Sequence, residues 1–217
     1  MTTWRFTIGE AFSASDSVAR FITVVAMMSN DWLRLMSAML EIEDWHKDAE
    51  GLRIMSFRQQ AALHHEAAEF MRDAPKRFPK VKRFIEGLEQ SAQDACEQIV
   101  GGVDPKSEHY LGDWLANHRN VTFHYPRMHP QAAEHGAEEI TEALKKAAEI
   151  ESTITEEGTF GSVRFEFADE VVVQWLPDAD APERIAQLRE SVMALARFVQ
   201  QAARAYLEAR PDSFTVE

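Results

Sequence analysis

From Ser17 to Glu43 the apolar residues recur at intervals of three and four, which confines the segment to a long helix with one buried face. Phe21, Val24, Val25, Met28, Trp32, Leu35, Met36, Met39 and Leu40 carry the pattern, and Ser15 or Asp16 can cap its start. The same period returns from about Glu50 to Asp73, with Leu52, Met55, Leu63, Ala67 and Phe70 inward, and Pro75 and Pro79 predict a break after it. A third helix follows through Val81, Phe84, Ile85, Leu88, Ala92, Cys96 and Val100, with Gly101-Gly102 as its stop. A shorter fourth begins near Ser107, turns Leu111, Trp114 and Leu115 inward, and ends by Pro126, because proline disfavours helix at the residue before it. A fifth spans roughly Pro130 to Thr153. Its glutamates Glu134, Glu138, Glu139 and Glu142 form a solvated face. Pro182 opens the last helix, which runs to about Ala209 through Ile185, Leu188, Val192, Leu195, Phe198, Val199, Ala202 and Leu207.

Between the last two helices the period changes to two. Val163, Phe165 and Phe167 alternate, Ala168-Asp169-Glu170 can turn, and Val171, Val173 and Trp175 alternate again, so 162–176 reads as a β-hairpin. Trp4, Phe6 and Ile8 could add a third strand, since an isolated hairpin is marginal in water. With no internal repeat or linker, the expected fold is all-α. It is a single domain over 1–217, a helical bundle of five to six helices with a small β-hairpin insertion near 162–176.

Composition narrows the function classes. The chain has 217 residues, 45% hydrophobic and 27% charged, enough for a well-buried core, and its eight prolines and nine glycines argue against long irregular segments. The best apolar window, Phe21 to Met28, falls far short of the about 20 residues of a membrane span. The N-terminal residues lack the basic and apolar regions of a secretory leader, so a cytoplasmic location is expected. Cys96, the only cysteine, sits between Asp94 and Glu97 and reads as an idle, buried thiol. A net charge of −13 disfavours general coating of nucleic acid or an anionic membrane, which needs a basic face, but leaves room for a local cationic site.

That local site is expected between Lys106 and His129, where four of the eight histidines fall: His109, His118, His124 and His129. Arg119 and Arg127 make the segment roughly neutral in an otherwise acidic chain. A helix end collects histidines for its dipole alone, so the clustering is not by itself a site. Within it, Arg119-Asn120-Val-Thr-Phe-His124 places Asn120 and His124 four apart on one helix face, with Arg119 at its edge. Together they offer a guanidinium for phosphate oxygens, an amide to hold an imidazole tautomer and an imidazole titrating near neutrality. Metal-independent RNA cleavage needs these groups: a base for the ribose 2′-hydroxyl, charge stabilisation at phosphorus and an acid for the leaving oxygen. One histidine cannot hold both protonation states in one step, and a two-fold dimer would supply the second copy. His118, Arg127, His129 and Lys106 are candidate phosphate contacts beside the motif.

Through Arg119-Asn120-x-x-x-His124 the chain resembles the HEPN superfamily, whose motif is arginine, a polar residue that is most often asparagine, and a histidine a few residues further on, in an all-α bundle. Its members include RNA-cutting toxins, abortive-infection proteins and nuclease domains of RNA-targeting CRISPR effectors; the length and long leading helices look most like the stand-alone abortive-infection type. The resemblance implies a homodimer with a composite, metal-independent ribonuclease site between chains. Arg119 and His124 would be catalytic, Asn120 would orient them, Tyr125 would contact substrate, and an antitoxin or regulator would be a further partner. In toxins paired with a nucleotidyltransferase antitoxin a tyrosine follows the histidine after one residue, whereas Tyr125 follows His124 directly. The β-hairpin is also outside the family's common core.

Two other readings stand beside this one. A non-catalytic dimeric module binding RNA or protein would use Arg119 and His124 to hold its interface. A metal-binding bundle would use the Glu43-x-x-His46 pair with His65 and Glu69 on the next helix, although a di-metal site needs two such pairs and only one is present. No cofactor is expected, as no phosphate-binding glycine loop, dinucleotide pattern or nucleophile elbow occurs.

Overall fold

The computed structural model describes residues 4–41, 49–112, 114–116, 146–150, 154–155, 164–165 and 182–216, and these are mostly helical. In order they form β1 (Trp4–Arg5), α1 (Ile8–Ala11), α2 (Ser17–Leu40), α3 (Ala49–Arg77), α4 (Pro79–Glu86), α5 (Gln90–Gly101), β2 (Ile154–Thr155), β3 (Arg164–Phe165), α6 (Pro182–Glu208), a short 3-10 turn and β4 (Thr215–Val216). None of the described helices is long and apolar enough to cross a membrane.

Two compact units emerge. The first combines Met1–Arg34, Leu63–Gly112 and Ala186–Glu217; the second combines Leu35–Ala62 and Asp113–Ile185. In the core of the first, Phe21, Ile22 and Val25 of α2 and Leu195, Phe198 and Ala202 of α6 meet Ala67, Ala68 and Met71 of α3 and Ala92 and Ile99 of α5. Full burial of one ring such as Phe198 contributes about 2 kcal/mol. Asp16 caps α2, its Oδ1 accepting the Val18 N–H at 3.0 Å.

Helix α3 corrects the sequence reading twice. It continues through Pro75 to Arg77. Proline near a helix end forfeits one hydrogen bond, that to the Met71 carbonyl, and burial of Met71 and Ala74 keeps the turn in place. Its inner face also differs from expectation: Met55 is exposed, while Ser56, Gln60, Ala61, His64 and Ala68 are buried. Small and polar residues there give the face little hydrophobic contrast.

The helix expected across 81–100 is two helices. Gly87, Leu88 and Glu89 interrupt it: the Gly87 N–H bonds back to the Arg83 carbonyl at 3.1 Å. The Gln93 amide then donates to the carbonyls of Glu86 at 3.2 Å and Leu88 at 2.8 Å, satisfying groups that the break leaves over. Gly101 ends α5 as expected. Beyond it, turns replace the helix start expected at Ser107, whose Oγ accepts the His109 N–H at 3.1 Å; helical residues resume at Gly112 and Trp114–Ala116. Of the fifth expected helix, Lys146 is helical and 147–149 turn, so its end comes before Thr153; its earlier part lies outside the described residues.

The short strands pair antiparallel in two separate sheets. Trp4 faces Val216 and Arg5 faces Thr215, with the Trp4 ring 4.6 Å from that of Phe214. The N-terminal strand therefore joins the C-terminal one, and Ile8, expected to extend it, begins α1. In the second sheet Ile154 faces Phe165 and Thr155 faces Arg164. Among the described residues the partner of Arg164–Phe165 is thus upstream. Residues 166–176 of the expected hairpin lie outside the described residues.

Candidate functional site

Of the residues expected to cleave or bind RNA, Lys106 alone is among those described. It is exposed on the turn after α5, its backbone N–H donating to Asp104 Oδ1 at 3.0 Å. His118, Arg119, Asn120, His124, Tyr125, Arg127 and His129 lie outside the described residues. The chain just before them is buried: Trp114 is 5% exposed and Leu115 fully covered, and the Trp114 ring meets Phe57 of α3 edge to face at 5.6 Å. That contact, within the second unit, anchors the residues that lead into the arginine. The lead-in also requires Gly112, whose φ of +54° is left-handed and whose missing Cβ leaves room for the Tyr110 ring.

The metal reading has one half in view. His65 Nδ1 lies 3.8 Å from Glu69 Oε2, one turn along α3, and a ligand atom of Glu66 falls within 4.8 Å of theirs. At 3.8 Å the His65 and Glu69 atoms can both reach one ion at ordinary ligand distances of about 2 Å. Arg72, however, donates to the other Glu69 oxygen at 3.3 Å, so a cation already holds that carboxylate. Glu43 and His46 lie outside the described residues.

Two polar arrangements escaped the sequence reading. His64 is 1% exposed, with Nε2 2.9 Å from Ser191 Oγ on α6. Its Nδ1 is buried and has no hydrogen-bond partner among the described residues. Burial, and then the neighbouring His65, pushes its pKa down to about 4, so the ring is neutral at pH 7. Its spacing of three from Ala61 and four from Ala68 put it on the inner face, a signal obscured by treating histidine as polar. The second joins both ends of the first unit. Asp16 Oδ2 accepts from the Tyr206 hydroxyl at 2.8 Å and from Arg210 at 2.9 Å, while the guanidinium lies 3.7 Å over the Tyr206 ring. Burial alone would raise Asp16, but the Tyr206 and Val18 bonds and the Arg210 charge outweigh it and hold the carboxyl below its usual range. Burial, then the bond to Asp16, pushes Tyr206 up to about 12. Both act as ties between segments distant in the chain.

Cys96 meets its expectation. It is buried on α5, and burial followed by the Glu97 charge pushes its thiol up to about 12, far from a reactive thiolate. No family model matches the chain, and no curated protein or solved structure matches it either.

Proposed function

We propose that the chain is a metal-independent endoribonuclease of HEPN type, acting as a homodimer with a composite arginine and histidine site and serving in phage defence or stress response. The observation that carries this reading is the Arg119-Asn120-x-x-x-His124 spacing in a mostly helical chain. The buried Trp114 and Leu115 support it by anchoring the chain shortly before the motif. Arg119 would stabilise charge at phosphorus, His124 would transfer the proton, and Asn120 would hold the imidazole. His118, Tyr125, Arg127, His129 and Lys106 would steer the RNA backbone.

The test is cleavage of a labelled structured RNA, with EDTA present, by wild type, Arg119→Ala and His124→Ala proteins of equal oligomeric size. Wild type leaving 2′,3′-cyclic phosphate ends, with each variant slowed at least about a hundredfold, is the expected result. Dimers that dissociate on either substitution, with no cleavage by wild type, would replace the enzyme with the non-catalytic interface reading.

A further inference from the structure

A cleft of about 400 Å³ opens in the first unit between the end of α3, α4, α5 and the turn that follows. Its volume falls within the range of small-molecule sites. The apolar wall comes from Met71, Pro75, Ile85, Cys96 and Val100. Charged groups stand at the edge, and their bonding is uneven. Both cations are already engaged: Arg72 with Glu69 at 3.3 Å and Asp73 at 3.2 Å, and Lys82 with Glu86 at 3.7 Å. Glu97 makes no ion pair or hydrogen bond among the described residues, and Asp104 accepts only a backbone N–H there.

The cleft therefore offers an apolar wall and two carboxylates without a cationic partner among the described residues. We propose that it binds a small organic cation: a primary amine on a compact apolar or aromatic body. The body would cover Ile85 and Val100, and the ammonium, with three donors and no acceptor, would meet Glu97 and Asp104. An anion would face Glu97 and Asp104 with both cations already committed. An uncharged body would gain the apolar contact alone.

The probe is 2-phenylethylamine, titrated into the full chain by calorimetry and compared with 2-phenylethanol, which matches its shape without the charge. Backbone amide resonances of Ile85, Glu97 and Val100 report the location, since an occupant of the cleft shifts them. The amine should bind and shift these resonances, and the alcohol should bind at least about threefold more weakly. Glu97→Gln, at an exposed helical position, should weaken amine binding about threefold, an exposed charge pair being worth little more. Absence of binding up to about 10 mM, equal binding of the alcohol, or an unchanged affinity in a folded Glu97→Gln protein would each overturn the proposal.

Discussion

Acidification should expose the cost of burying His64. The ring is held neutral in the folded chain, with its pKa pushed from 6.5 to about 4, whereas the unfolded chain protonates it near the ordinary value. Between those two values the unfolded state binds more protons, so stability rises with pH there. The His64 contribution is therefore complete above about pH 6.5 and is lost as pH falls towards 4, amounting to about 3 kcal/mol over the whole window. Between pH 7 and pH 5 the loss is about 2 kcal/mol. His64→Gln keeps a polar group able to reach Ser191 and removes the titration. Urea unfolding of both proteins at the two pH values isolates the effect, because losses common to both, including those from other histidines, cancel in the double difference. Wild type should lose about 2 kcal/mol more than the variant on going from pH 7 to pH 5. An equal loss in both proteins would mean that the folded ring is charged or solvated, and would refute the reasoning.

Two further perturbations test the ties around the first unit. Tyr206→Phe removes the 2.8 Å bond to Asp16 but leaves the ring, and should cost about 1 kcal/mol in urea unfolding. Because Asp16 is held below its usual range, the stabilisation from its ion pair is present at neutral pH and is lost as pH falls through the acidic carboxylate range; a Tyr206→Phe protein should show a smaller acid loss. Gly112→Ala forces a side chain into a left-handed φ of +54° with its Cβ 2.5 Å from Tyr110 Cε1. It should destabilise by about 1–3 kcal/mol, read as a fall in Tm, and an unchanged Tm would show that the turn adopts another conformation.

The long helices were legible because a helical period is a local property. Phe21, Val25 and Trp32 on α2, and Leu188, Val192, Leu195 and Phe198 on α6, are buried where the spacing put them. Asp16 capped its helix, and Gly101 ended another, for equally local reasons. The motif is also a feature of sequence alone, since spacing and residue type are all that carry it.

Non-local contacts decided the rest. Leu88 keeps the helical phase through the gap between α4 and α5, so periodicity could not reveal a break that Gly87 permits and the Gln93 amide satisfies. Pro75 stays inside α3 because the surrounding core offsets one missing hydrogen bond, a comparison that the residue by itself does not contain. His64 meets Ser191 across 127 positions, and β1 pairs with a strand at the other end of the chain. A residue's local pattern states which face it occupies, but its partner is chosen by chain closure and packing, which depend on every other element at once. Sequence thus determined the helices and the placement of Arg119, Asn120 and His124 along the chain; tertiary structure decided where helices break, which polar groups are buried together, and which acceptors stand at the rim of the cleft.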